Sequence, residues 1–290
     1  MIMVTGSTGN IGSPLVKNLV RAGARVRALV RDPAKESEQV TSMRAGGVEV
    51  IAGDLGDPST LADALAGVEA AFLLTPVSRD QVMWKSNLIH AAKRADVQRI
   101  VNLSVAGAAP DSPLILGRWH WESEKELEAS GMNWTHLRPY DLARYNTKLF
   151  LATASNQGAF YSTVGDGKVA MVDEEDVAAV AAEALMNPSH VGKTYMLTGP
   201  EALSYAQIAA LMSDLMGRSV RYIDVTNEQA KTAMLGMGLP EWIADFINDL
   251  RGMERQGGAS TISPDVQRVT GRPPTPYVAS LKATLGTAMS

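Results

Sequence analysis

Short apolar runs alternating with helically spaced stretches through the first half constrain this chain's fold more than any other feature. The runs fall at residues 2–5, 25–30, 48–52, 70–74, 99–104 and 134–137. Between them lie stretches at 10–22, 34–45, 59–66, 80–95 and 118–130, whose apolar residues recur at the spacing of a helix face. Strands rich in Val, Ile and Leu, separated by helices, indicate a parallel sheet covered on both faces. The expected class is α/β, a doubly wound parallel sheet with its ligand crevice at the carboxyl ends of the strands. At 290 residues and 46% hydrophobic, the chain can bury such a sheet and a smaller additional lobe.

Residues 4–12 read Val-Thr-Gly-Ser-Thr-Gly-Asn-Ile-Gly, so the first run ends in glycines spaced G-x-x-G-x-x-G. The series Ile11, Leu15, Val16, Leu19 and Val20 follows directly. In that order Gly6 can make the tight turn, Gly9 can let the backbone approach a pyrophosphate, and Gly12 can let helix and strand pack closely. Ser7, Thr8, Asn10 and Ile11 complete the loop, and the amides at the helix start favour an anion there. With 25 glycines in the chain, the spacing alone is weak. Its position between a strand and an amphipathic helix makes it a nucleotide-binding loop rather than an ordinary turn. The sheet is accordingly expected to be of Rossmann type. Residues 1–150 form its dinucleotide-binding core, later strands from 151–200 rejoin that core, and 151–290 form mainly a mixed C-terminal substrate lobe.

Composition excludes several other classes. A net charge of −4 argues against a general nucleic-acid binder. Cysteine is absent, which removes disulfides, thiolate metal sites and a cysteine nucleophile, and no metal site is expected. No apolar run reaches the roughly 18 residues of a membrane span. A first strand starting at Ile2 leaves no room for a cleaved signal peptide, so the cytoplasm is the expected compartment. The second half is less regular. Acidic residues at 173–175 start a helix, 194–198 form a strand, and Ser204 with Gln207 resembles a capping box. Residues 226–255 read as two helices broken at Gly238-Leu239-Pro240, and Arg272-Pro273-Pro274 turns the chain into a last helix.

The strand tips select the cofactor. Strand two ends in Ala28-Leu29-Val30-Arg31-Asp32-Pro33. An acidic residue at that tip would favour the ribose hydroxyls of NAD, whereas an arginine suits a 2′-phosphate. Arg31 arrives first, with Lys35 close behind, and Asp32 is expected to turn away to start the next helix. NADP(H) is therefore the expected cofactor, with Arg27 adding charge if it faces the same way. The alternative is that Arg31 is a solvated surface charge. At the tip of strand three, Asp54 either accepts from the adenine amino group, with Leu55 covering the ring, or caps the next turn. At the tip of strand four, Thr75, Pro76 and Val77 should approach the ribose.

Four segments carry a resemblance: Thr5–Gly12, Ala28-Leu-Val-Arg31, His120-Trp-Glu-Ser-Glu-Lys-Glu-Leu-Glu-Ala-Ser-Gly131 and Trp134-Thr-His-Leu-Arg-Pro139. Gly165-Asp-Gly-Lys168 followed by Asp176-Val-Ala178 adds to it. Through nearly its whole length the chain resembles the atypical short-chain dehydrogenase/reductases of the NmrA-like group. Its pattern is nearest the bacterial type 2 NAD(P)H:quinone oxidoreductases and the triphenylmethane reductases. Ordinary short-chain dehydrogenases carry Tyr-x-x-x-Lys, the tyrosine as proton donor and the lysine lowering its pKa and holding the nicotinamide ribose. Alignment on Ser130-Gly131 places Leu116 at the tyrosine and His120 at the lysine, and leucine exchanges no proton. The resemblance also implies that Ser104 contacts the nicotinamide ribose and that Pro139 brings backbone near the nicotinamide.

His120 and Glu124 lie one helical turn apart on one face. The resemblance implies an imidazole that hydrogen-bonds the ribose, with Glu124 fixing its tautomer or pairing with a neighbouring strand. Imidazole is also suited to proton donation near neutral pH, so His120 and Tyr140 are the candidate acids. Helix packing is the plain alternative for His120. Trp119, Trp121, Tyr140 and Tyr145 are the candidate substrate-lining residues, with Trp84 a lesser one. Met234, Met237, Trp242 and Phe246 form either a lid or ordinary packing. Ketone reduction makes an alkoxide that needs an acid, whereas a quinone or conjugated cationic dye accepts hydride more easily. The expected function is thus an NADPH-dependent oxidoreductase acting on a small aromatic or conjugated acceptor, with a homodimer as the common assembly of such enzymes. The alternatives are an NADP(H)-sensing regulator without catalysis, and a biosynthetic reductase of a ketone, imine or enone.

Overall fold

Each apolar run of the first half forms a strand and each periodic stretch between them a helix. The computed structural model describes residues 1–34 and 37–288. Lys35 lies outside the described residues. The first elements are β1 (Ile2–Val4), α1 (Gly12–Arg21), β2 (Val26–Val30), α2 (Glu38–Ala45), β3 (Glu49–Ala52), α3 (Leu61–Leu65), β4 (Ala70–Leu73), α4 (Gln81–Arg94), β5 (Arg99–Leu103), α5 (Ile115–Ala129) and β6 (Asn133–Pro139). There follow α6 (Ala143–Gln157), β7 (Ala159–Ser162), β8 (Lys168–Val169), α7 (Glu174–Met186), β9 (Lys193–Leu197) and β10 (Leu203–Ser204). The chain ends with α8 (Tyr205–Met216), β11 (Arg221–Asp224), α9 (Asn227–Gly236), α10 (Glu241–Arg255), α11 (Asp265–Thr270) and α12 (Tyr277–Ala288).

The chain divides into two units, of which the first comprises residues 1–112, 117–138 and 174–196. Its seven-stranded sheet has the order β3-β2-β1-β4-β5-β6-β9. From β3 through β6 each neighbouring pair runs parallel. Ile2 faces Val26 on one side and Ala70 on the other, so the strand order reverses between β1 and β4. That reversal defines a Rossmann-type sheet and fixes where its ligand crevice opens. Leu61, Leu65, Leu88, Ile89, Ala92 and Leu127 pack against Met3, Leu29, Ala71, Leu73 and Ile100. Helix α7 packs against α1, β4 and β5. Its Val177, Ala178, Val180, Ala181, Ala184 and Leu185 are all buried, as a helix with small residues on several sides permits.

The second unit comprises residues 113–116, 139–173 and 197–290. Phe150 and Phe160 stack with centroids 4.4 Å apart, and Tyr205 meets Phe150 edge-on at 5.0 Å. Strand β7 pairs in parallel with β11, and β8 pairs antiparallel with β10. Ser204 and Gln207 form a reciprocal capping box on α8, and Thr226 and Gln229 form a second on α9. The expected break between α9 and α10 occurs where Gly238 takes φ +84°. In the Gly165-Asp166-Gly167 turn, a Cβ on Gly167 would stand 2.4 Å from Glu254 O, which restricts this position to glycine.

Candidate functional site

The loop from β1 into α1 is held from inside the fold. Thr5 Oγ1 donates toward Phe72 O at 3.0 Å and Leu74 O at 2.8 Å, and Ser7 Oγ donates to Leu29 O at 3.2 Å. These bonds tie the loop to β4 and β2 while leaving Thr8, Gly9 and Asn10 exposed. Ser7 therefore has its side chain committed to the scaffold and offers a ligand only its backbone. Gly6 has φ +61°, and a Cβ on Gly12 would stand 2.0 Å from Gly6 O. Only glycine lets α1 begin that close to the strand. The helix starts without a side-chain cap and without an acidic residue in its first turn. Its amino end and Gly6–Gly12 are thus shaped for a phosphate group.

The strand tips differ in what they leave available. Arg31, beyond β2, is exposed and makes no ion pair among the described residues. Arg27 is spent elsewhere: its guanidinium bonds Ala64 O at 2.9 Å, Ala66 O at 2.7 Å and the Glu49 carboxylate at 2.9 Å, so it adds no charge at the tip. Asp32 caps a turn by accepting from Ala34 N at 3.0 Å, whereas α2 is capped by Ser37. Asp54 accepts from Gly56 N at 2.8 Å, the turn-capping arrangement, and remains exposed. Leu55 is half-buried against the first unit's core. A Cβ on Gly56 would stand 3.3 Å from Trp84 Nε1, which sets Trp84 beside this turn. Thr75 Oγ1 is buried without a partner, while Pro76 and Val77 are exposed beside it. A buried hydroxyl with no partner at a strand tip fits a ligand group that would complete its bonding.

Behind these tips lies a buried polar network around His120 and Glu124, in which Lys85 is the member that the sequence did not reveal. Lys85 of α4 is fully buried, and its Nζ lies 2.8 Å from Asn102 Oδ1, 2.7 Å from Leu103 O and 3.1 Å from His120 Nδ1. Burial, opposed by Glu124, brings the Lys85 pKa down to about 7. Burial and the neighbouring Lys85 cation hold His120 well below its usual range, so the imidazole is neutral. Glu124 reaches away from His120 and pairs with Arg138 of β6, with Nε at 2.9 Å and Nη2 on the second oxygen. Burial opposes its ionisation, and Arg138 outweighs burial and keeps the carboxyl below its usual value. Ser104 is buried close to this carboxylate, although its Oγ has no hydrogen bond of good geometry.

Asn102 extends the network, its Nδ2 lying 3.3 Å from His136 Nδ1. His136 stacks on Trp134 at 4.5 Å and lies 3.4 Å from Glu128. Burial brings its pKa down to about 4. Glu124, Glu128 and His136 approach one another closely enough to resemble a metal-ligand set. Arg138 pairs with Glu124 and Lys125 with Glu128, while His136, its pKa brought down to about 4, stays neutral beside them.

Trp119 and Trp121 flank His120 in the sequence of α5. Successive residues of a helix diverge by about 100°, so Trp119 and Trp121 leave α5 on different sides. Trp121 takes the Lys125 ammonium over its ring at 5.8 Å, a contact between side chains one turn apart on the helix exterior. Leu116 is buried. In the second unit Pro139 is buried, Tyr140 is half-buried with its N bonded to Leu197 O at 3.0 Å, and Tyr145 is 49% exposed. Met237 is exposed, and Met234, Trp242 and Phe246 are half-buried in that unit.

Known proteins resemble this chain along nearly its whole length. The model of a family described as NmrA-like matches residues 1–269. An NAD(P)H azoreductase of Xenophilus azovorans is 44% identical over 98% of this chain and 97% of its own. The crystal structure of an NADPH-dependent quinone oxidoreductase from Escherichia coli, complexed with NADPH, is similar with a TM-score of 0.87. It is 31% identical and covers 98% of this chain and 100% of its own. A Citrobacter sp. triphenylmethane reductase complexed with NADP(H) has a TM-score of 0.85 at 28% identity, over 98% of this chain and 99% of its own.

Proposed function

This chain belongs to the NmrA-like family, and from that premise we propose that it is an NADPH-dependent oxidoreductase delivering hydride to a flat, electron-poor acceptor. Azo and quinone compounds, conjugated cationic dyes and conjugated carbonyls are the acceptor classes. The observation that carries the reading is the close approach in the β1–α1 loop, where a Cβ on Gly12 would stand 2.0 Å from Gly6 O. A turn of that kind serves a phosphate at a helix start and has little use in a plain strand connection. The names of the similar azoreductase, quinone oxidoreductase and triphenylmethane reductase support the same chemistry.

In this reading the backbone of Gly6–Gly12 takes the pyrophosphate and Arg31 the 2′-phosphate. Asp54 and Leu55 lie on the adenine side, and Thr75, Pro76, Val77, Ser104 and His120 on the ribose and nicotinamide side. By resemblance Pro139 is assigned to the nicotinamide, and Trp119, Trp121, Tyr140 and Tyr145 are the candidates for contacting the acceptor. When bound, the reduced nicotinamide supplies the hydride. The protein's part is to orient the two reactants and keep them desolvated. Because Leu116 stands at the tyrosine position, acceptors whose product charge is delocalised or neutralised suit this chain best.

The test is to mix the protein with NADPH and a panel of azo dyes, quinones, cationic triarylmethane dyes and enones, following the absorbance of the reduced nicotinamide. Oxidation with at least one acceptor class is expected. Tight NADPH binding with no oxidation across the panel would contradict the reading and support the NADP(H)-sensing regulator.

A further inference from the structure

Lys85 is a buried cation outside the motifs that carry the resemblance. It stands 35 residues from His120 in sequence, and their side chains meet at 3.1 Å. An ammonium has three N–H donors, and Lys85 has three acceptors: Asn102 Oδ1, Leu103 O and His120 Nδ1. The first two have no proton to give, so Nζ donates to both. The third bond then leaves His120 Nδ1 as an acceptor and puts the imidazole proton on Nε2. His120 keeps 8% exposure, and Nε2 has no partner among the described residues.

We propose that Lys85 is a positioning residue acting through His120: its ammonium fixes the Nε2–H tautomer and replaces the proton that His120 Nε2 gives to the reduced acceptor. The inference rests on the reductase reading above. After an acceptor such as a quinone or azo compound has received hydride, its anionic oxygen or nitrogen needs one proton. An O–H or N–H bond forms there as the His120 Nε2–H bond breaks. In the same step Nδ1 takes a proton from Lys85, and the Nζ–H bond breaks. No imidazolium forms, as befits a ring held far from protonation by burial and a neighbouring cation. The neutral amine left behind keeps two N–H bonds for Asn102 Oδ1 and Leu103 O, and its lone pair accepts from Nδ1–H. Solvent then returns one proton to His120 Nε2 as the Nδ1–H bond breaks and its proton passes back to Lys85 Nζ, restoring the starting state.

The groups facing Lys85 are Asn102 on β5, His120 and Glu124 on α5, and His136 beyond Asn102 on β6. Glu124 favours the ammonium and burial disfavours it, and the balance at about pH 7 lets the amine both lose and regain a proton.

Acceptor chemistry separates this role from a structural one. A quinone needs a proton after hydride transfer, whereas a cationic triarylmethane dye becomes a neutral carbon acid and needs none. In Lys85→Met, kcat with a quinone is expected to fall about 100-fold, while kcat with the cationic dye changes little. Wild-type kcat with the quinone should decline as pH rises through about 7, and the variant should lose that dependence. Lys85→Arg keeps a permanent cation, so it should retain NADPH binding and the His120 tautomer while leaving quinone turnover low. Nitrogen-15 spectra of His120 should give the Nε2–H tautomer in wild type and Lys85→Arg, and an altered tautomer in Lys85→Met. Equal losses with both acceptors, full quinone turnover in Lys85→Arg, or an Nδ1–H tautomer in wild type would overturn the proposal. A wild type inactive with every acceptor would remove the reductase reading and the relay with it. The His120 spectra would then still decide whether Lys85 fixes the ring.

Discussion

Arg27 and Arg31 sit on the same strand and its tip, yet they do different work because of what surrounds each. Arg27 satisfies two carbonyls and a carboxylate, so its charge is used within the fold. Arg31 is exposed and makes no ion pair among the described residues, so it can meet a 2′-phosphate without breaking a bond first. A hydrogen bond to a charged group contributes about 1.5–3 kcal/mol. Arg31→Ala should therefore raise the Kd for NADPH by roughly 10- to 100-fold and leave that for NADH nearly unchanged. Equal effects on both, measured by titration calorimetry, would count against the assignment. Local conformation and exposure were legible where local sequence determines them. The glycines declare themselves by order and position, and Arg31 by its place at a strand end. Lys85 does not, because one lysine in an amphipathic helix reads as a surface charge until β5 and α5 are packed around it. Trp119 and Trp121 adjoin His120 in sequence, yet successive residues of a helix diverge, so sequence alone does not say which of them shares its face.

At the scale of elements, the first half follows its hydrophobic pattern closely, with strands and helices within a few residues of expectation. The second half hides more. Helix α6 buries Asn146 and Thr147 beside Phe150 and Leu151. Both polar residues bond carbonyls of the preceding turn, which masks the apolar stripe. Strands β8 and β10 have two residues each, too few to carry an alternation. Where α10 ends, Arg251 is buried among Asp141, Asn146 and Glu254, with a nitrogen 2.8 Å from Glu254 Oε1. Burial chiefly, with Asp141 beside it, pushes the Glu254 pKa up to about 8. Between its ordinary value of 4.5 and about 8, the folded chain thus holds a proton at Glu254 that the unfolded chain has released. That difference lowers stability as pH rises across the window, by at most about 1.4 kcal/mol per pH unit. Glu254→Gln carries no such proton. Its Tm relative to wild type should rise steadily from pH 5 to pH 8 in paired calorimetric scans, and a constant difference would contradict the assignment.

For the whole molecule, a Rossmann-type sheet, an NmrA-like match along residues 1–269 and an uncapped helix start on a glycine turn all point to one chemistry. Fold alone does not select an acceptor. Among the described residues no helix is long and apolar enough to cross a membrane. The central claim is direct hydride transfer from NADPH, and a cationic triarylmethane dye tests it without a proton step. The hydrogen delivered to its central carbon stays there, so NADPH deuterated at one of the two C4 positions marks the product. Mass spectrometry of the colourless dye is predicted to find deuterium from one C4 diastereomer and none from the other. Product without deuterium from either diastereomer, or no reduction of any acceptor class, would contradict it.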